Sequence, residues 1–343
     1  MAETVQPIGQ EAEVRRRSSG RWVSFILLGA GIAILIAFAA TVNFRQVAEA
    51  LRRAEITLLG AAVGAVVAQI LFKAYRWQFM VKQLTGTTIS IRFSAISVVA
   101  GVAAGSFTPG RSFELAKAVM LKGSYDVSLG VSTSAMIVER MLDMGFIVVA
   151  FLLSAAFVPS RMVLASRVLM LMIVILVVAF GVVVTIPQMM QGWIAGITRY
   201  LPLPGSLRDK GLRLLDTFFS SFQLLREHRT LWLLLLLSVA VIALDLLRVF
   251  TVFRAMGIPL APPLIAFAYL GAAMLGMALL IPGGVGITEV SMAGLIILLA
   301  PGAAAPSLAR SAVLVDRFLS YYLLVLIGAG LLVAYHRFRH VFV

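Results

Sequence analysis

Acids and arginines interrupt three otherwise apolar stretches of the sequence. Glu139, Arg140 and Asp143 fall near the middle of 128–158, Asp245 and Arg248 lie within 231–253, and Asp316 and Arg317 sit near the start of 308–335. A charge inside a bilayer costs about 2.5–3.5 kcal/mol on insertion scales, so each needs a partner or a task. Glu139 and Arg140 are neighbours and leave one helix in different directions, so they do not simply neutralise each other. Glu139 and Asp143 are four residues apart and share a face. A cation or an arginine is expected opposite them, or one carboxyl carries a proton. Two uses of these groups stay open at this stage: an internal network that holds helices together, and a polar path for a charged substrate.

A second chemistry belongs to two breaks, Pro109-Gly110 and Pro282-Gly283-Gly284. Proline ends a helix and glycine lets backbone or ligand come close. The limb after each break opens with free backbone N–H groups, which favour an anion such as phosphate. Arg111 adjoins the first break, with Ser106, Thr108 and Ser112 as hydrogen-bonding groups, and Thr288 lies near the second. A plain packing kink is the competing explanation.

Much other chemistry is excluded. There are no cysteines, and the three histidines, His228, His336 and His340, each neighbour an arginine at a segment edge. No nucleotide loop, zinc motif or nucleophile elbow is found. No catalytic residue, metal ion or cofactor is expected, and the chain is read as a non-enzyme.

The elements that must position these residues are membrane helices. Of 343 residues, 61% are apolar and only 13% charged, against roughly a quarter charged in a soluble domain. The expected fold is an all-α polytopic membrane protein with about six full spans and two re-entrant helical hairpins arranged as an inverted repeat. The spans are 22–42, 56–72, 128–158, 168–187, 231–253 and 308–335; the hairpins cover 93–122 and about 255–300. Residues 44–55 read as an amphipathic surface segment, and Lys73, Arg76, Trp77 and Lys82 as a basic and aromatic cytoplasmic edge. Residues 1–21 form a tail, 22–335 one membrane domain with repeat units of about 56–158 and 231–335, 188–230 an amphipathic cytoplasmic connection, and 336–343 a second tail. Lys and Arg concentrate in segments that place both termini in the cytoplasm. The net charge of +14 then reflects basic loops against anionic lipid rather than nucleic acid.

The repeat rests on spacing. Arg76 precedes Pro109 by 33 residues and Arg248 precedes Pro282 by 34. Glu114 follows the first break and Glu289 the second. Glu139-Arg140 and Asp316-Arg317 come next, their arginines 31 and 35 residues after the prolines. The topology gives the two units opposite orientations, an architecture suited to alternating exposure of a central site.

Four stretches carry a family resemblance: TPGRSFELAKAVMLKG (108–123), VERMLDMGFIVV (138–149), LIPGGVGITEVSM (280–292) and VDRFLSYYLLVLIG (315–328). In order and spacing they resemble the lysylphosphatidylglycerol synthase transmembrane, or flippase-like, family. This is the membrane region of the bacterial multiple peptide resistance factor and of stand-alone relatives. Pro109, Arg111 and Glu114 match the family's first tip, with Phe113 where glycine is usual. Pro282, Gly283, Gly284, Gly286 and Glu289 match the second, with Thr288 in place of an arginine. Glu139, Arg140, Asp143 and Arg317 match the later motifs.

The resemblance implies movement of a polar-headed lipid across a bacterial cytoplasmic membrane. The substrate-binding residues would be Arg111, Glu114, Glu139, Arg140, Asp143, Glu289, Asp316 and Arg317. The chain is too short to add the soluble synthase domain, so aminoacyl transfer is not implied. The expected partners are a membrane lipid as substrate, anionic lipid at the basic loops, and a lipid-modifying synthase or glycosyltransferase; no nucleic acid is expected, and a homo-oligomer is left open. Rival readings are a transporter of a small anionic solute, and a scaffold or enzyme of a lipid-modification pathway.

Overall fold

The computed structural model describes residues 29–107, 115–158, 227–279 and 281–337, and among them every regular element is helical. The chain runs through α1 (Gly29–Ala40), α2 (Phe44–Arg53), α3 (Ile56–Thr85), α4 (Ile91–Gly105), α5 (Leu115–Tyr125) and α6 (Leu129–Ala155). It continues as α7 (His228–Ala255), α8 (Pro262–Ala278), α9 (Ile287–Leu299) and α10 (Pro306–Arg337). Among the described residues four stretches are long and apolar enough to cross a membrane: α3, α7, Pro282–Leu299 and α10. They become five if α1 and α2, bent by 71° at Thr41–Asn43, form one span. The 27-residue α6 also has the length, with Glu139, Arg140 and Asp143 in its middle. The expected span at 168–187, residues 188–226 of the expected connection 188–230, and the tip residues Pro109, Gly110, Arg111 and Glu114 lie outside the described residues, while His228–Thr230, read as the end of that connection, already belong to α7.

Local signals explain the helix ends. Asn43 caps α2 through its side chain, Ser90 caps α4 and Ser128 caps α6. α3 stops at Gly86, whose φ of +71° suits glycine. That stop corrects the sequence reading, which ended this span at Phe72. The helix continues for thirteen residues past Phe72, and Arg76 and Trp77 are fully buried within it instead of marking a membrane edge. Its charge is met by carboxylates from distant segments, so the fall in local hydropathy does not end the helix.

The packing of the two halves corresponds element by element. α3 packs extensively against α7. In the first half α3 packs on α4, α4 on α5, and α5 on α6; in the second α7 packs on α8, α8 on α9, and α9 on α10. The halves also interlock, α6 against α8 and α10 against α4. Two apolar cores form, each drawn mainly from one half but joined by residues of the other, Leu234 and Tyr335 in the first and Ala62 in the second. One is built around Trp77, Phe93, Met120 and Leu142, the other around Phe253, Ile265, Met292 and Val313.

The second break is tightly built. Pro282–Gly284 form one buried 3-10 turn between α8 and α9, with Gly283 and Gly284 at φ of +66° and +65°. A Cβ on Gly283 would fall on the Tyr321 hydroxyl, and one on Gly276 would lie 2.7 Å from Thr288 Oγ1 and 3.2 Å from Gly284 Cα. Gly276→Ala is therefore expected to push α8 off the turn and destabilise the protein by about 1–3 kcal/mol. A thermal melt in mild detergent checks this; a melt superimposable on wild type would mean that the turn gives way freely.

Candidate functional site

The interior charges gather into two networks. In the first, Arg76 of α3 reaches α6 and α7 together. Its Nη1 donates to Asp143 Oδ1 at 2.7 Å and to Ser238 Oγ at 2.9 Å, and its Nη2 donates to Glu139 Oε1 at 3.0 Å. Arg76 is thus the cation that the shared face of Glu139 and Asp143 requires. Lys117 of α5 donates to the other Glu139 oxygen at 2.9 Å and lies over the Trp77 ring, 5.2 Å from its centroid. Lys117 is 2% exposed and Glu139 6%, so the pair ties the second limb of the hairpin to α6.

The second network uses the corresponding positions. Arg248 of α7 donates to Asp316 of α10 and to Asp245 Oδ1 at 3.2 Å, and lies 5.4 Å from the Tyr269 ring centroid. Arg317 Nε donates to Glu289 Oε1 at 2.6 Å, and Tyr322 donates its hydroxyl to the same oxygen at 2.7 Å. Arg76 with Glu139 and Arg248 with Asp316 are the same pairing made once in each half, at sequence separations of 63 and 68.

Local structure aims these groups. Asp316 and Arg317 end the regular first part of α10, and Phe318–Tyr322 continue it as a π-helical turn. Such turns rotate the register of the residues around them; here Tyr321 and Tyr322 both flank Arg317, the former with its ring centroid 4.6 Å from the guanidinium carbon. Glu289 lies in the first turn of α9, where the helix N-terminus favours an anion. The anion at that end of α9 is thus the protein's own carboxylate. Tyr322→Phe should cost about 1 kcal/mol, between the average for hydrogen bonds inside membrane proteins and the value for charged acceptors. Thermal melts would register it, and an unchanged midpoint would mean that Tyr322 does not support Glu289.

Among the described residues two polar cavities adjoin these charges, one between the networks and one beside the first. One, of about 120 Å³, is lined by Lys73, Arg140, Asp143, Asp245, Thr288 and Arg317, with Gly283 and Gly284 of the turn also on its wall. The other, of about 80 Å³, lies against Lys73, Lys117, Glu139, Arg140 and Asp143. Lys73, Arg140 and Asp143 face both. Each has room for several waters or a small polar group. An apolar groove of about 540 Å³ runs along α6, α7 and α8, lined by Leu142, Phe146, Ile147, Leu235, Met274 and Met277. Ile147 and Met277 belong to the wall of the groove and of the larger polar cavity alike.

Of the residues singled out in the sequence, Glu139, Arg140, Asp143, Glu289, Asp316 and Arg317 are brought into these networks and cavities. Arg111 and Glu114 lie outside the described residues. Sequence reasoning left out Arg76, Lys117, Asp245 and Arg248 as site residues. Arg76 and Arg248 were visible as repeat markers, and their matched positions were the signal that could have found them. Among the described residues no group of acids and histidines is arranged to hold a metal ion.

The family model described as the lysylphosphatidylglycerol synthase TM region matches residues 22–328. Two UPF0104 membrane proteins of Methanothermobacter thermautotrophicus are each 26% identical to this chain. One aligns over 322 residues, 89% of this chain and 93% of its own length; the other aligns over 335 residues, 89% and 91%. A UPF0104 membrane protein of Pyrococcus horikoshii is 25% identical over 334 residues, covering 91% of this chain and 97% of that protein.

Proposed function

The chain belongs to the lysylphosphatidylglycerol synthase transmembrane-region family of multi-pass membrane proteins, and from that membership we propose that it moves a polar-headed lipid, a phospholipid or glycolipid, between the leaflets of the cytoplasmic (inner) membrane. The observation that carries this reading is the junction of a polar cavity with an apolar groove. A lipid needs both environments at once: a wet, charged space for its head group and an apolar track for its chains. Ile147 and Met277 line both, so the apolar groove lies directly against the polar cavity.

Arg140 and Arg317 attract the head group's anion on this reading, and Glu139, Asp143, Glu289 and Asp316 position the cations or meet a cationic head group. Arg111 and Glu114 have the corresponding task at the first tip. The matched packing of the two halves supports an inverted repeat that exposes the cavity to each side in turn. The hairpins α4/α5 and α8/α9 act as its re-entrant elements, and both termini face the cytoplasm. The groove favours a lipid over a small soluble anion, which has no use for it.

Transport can be measured with purified protein in phosphatidylcholine vesicles carrying a trace of fluorescent phosphatidylglycerol or of a fluorescent glycolipid. Dithionite then bleaches the outer leaflet. The protein should expose the inner-leaflet probe faster than protein-free vesicles do for one of the two lipids. No acceleration for either would contradict the proposal.

A further inference from the structure

We propose that Lys73 holds the anionic group of the cargo, a phosphate ester, at the boundary between the two polar cavities; this deepens the lipid-transport reading and rests on it. Every other cation described in the two networks is committed. Arg76, Lys117, Arg248 and Arg317 each have a carboxylate partner. Lys73 makes no hydrogen bond and no ion pair among the described residues, yet it lines both cavities. It sits on α3 three residues before Arg76, about one helical turn away, at the depth of the network. An ammonium in such a place keeps its charge only with water or an anion beside it. The wall's own carboxylates are not free to serve, because Asp143 is held by Arg76 and Asp245 by Arg248.

A second, independent group points into the larger cavity. Arg317 is 5% exposed and lines that cavity; its Nε is taken by Glu289, while its buried Nη2 has no hydrogen-bond partner. One open N–H edge on α10 and one ammonium on α3 thus face the same space of about 120 Å³. A phosphate, with several oxygens spread around one centre, meets a point charge and a guanidinium edge together. Because Lys73 also faces the second cavity, it can keep hold of the anion while the opposite side opens.

A lipid phosphodiester and free inorganic phosphate share this chemistry, and the test separates them. Wild type, Lys73→Ala and Lys73→Arg are reconstituted in the same vesicles and assayed for movement of fluorescent phosphatidylglycerol and for uptake of radiolabelled inorganic phosphate. Lys73→Ala leaves no buried group without its partner, so its melt should match wild type. The expected result is movement of phosphatidylglycerol slowed roughly tenfold or more in Lys73→Ala, the loss of one charge-assisted contact, with substantial recovery in Lys73→Arg and no phosphate uptake. If wild type and Lys73→Ala move the lipid equally, the assignment of Lys73 is overturned and lipid transport stands. If phosphate uptake depends on Lys73 while lipid does not move, Lys73 stands and the lipid is overturned as the source. If wild type moves neither, the phosphate cargo and Lys73's part in holding it are overturned, and lipid transport then rests on the glycolipid probe alone.

Discussion

Arg76→Ala is expected to cost about 3–5 kcal/mol of stability, against a typical total of about 5–15 kcal/mol. Arg76 is fully buried and joins three helices at one point, with α6 contributing Glu139 and Asp143 and α7 contributing Ser238. Its removal leaves Asp143 without its ion pair and Glu139 with Lys117 alone. Buried charges stripped of a partner destabilise far more than the intact pair stabilises. The expected observation is little monodisperse protein after extraction in mild detergent, with a clearly lowered melt for what remains. Adding Asp143→Asn should recover part of the loss, because a neutral amide no longer requires the guanidinium while Glu139 keeps Lys117. A single variant that melts with wild type would show that the network does not hold the helices.

Arg140→Ala is expected to behave in the opposite way. Arg140 is half-buried and stands on the wall of both polar cavities. It leaves α6 in a different direction from Glu139, which is bound into the first network. Losing it should slow movement of fluorescent phosphatidylglycerol roughly tenfold or more, the scale of one charged contact to an anion, while the folded protein is retained. Unimpaired transport would remove Arg140 from the path. Loss of folded protein would assign it to the structural network instead.

The contrast between these arginines marks what a sequence can and cannot disclose here. The helical membrane class follows from the apolar composition, and the second break follows from Pro282-Gly283-Gly284, whose backbone conformation needs its glycines. The requirement for a cation opposite Glu139 and Asp143 follows from helical geometry. Which cation meets it does not, because Arg76 lies 63 and 67 residues from its acids and local hydropathy reads it as a membrane edge. Lys117 was hidden in the same way: a charged limb too short to span turns out to bury its lysine against Glu139. The apolar groove left no trace at all, since Leu142, Phe146 and Met274 look like any lipid-facing or core residues until three helices are brought together. The matched spacing in the sequence sets Arg76 in register with Arg248 and Glu139 with Asp316, and the two pairings Arg76–Glu139 and Arg248–Asp316 fall at those positions.

On the proposed function, the cavity between the networks binds the head group of a lipid. Native mass spectrometry with lipid extraction, applied to gently purified wild type and Arg140→Ala, reads this out. Wild type should retain a defined anionic phospholipid or glycolipid, and the variant, folded and of the same mass apart from the substitution, should have lost it. The same unselective bulk lipid on both proteins would contradict head-group binding in the cavity.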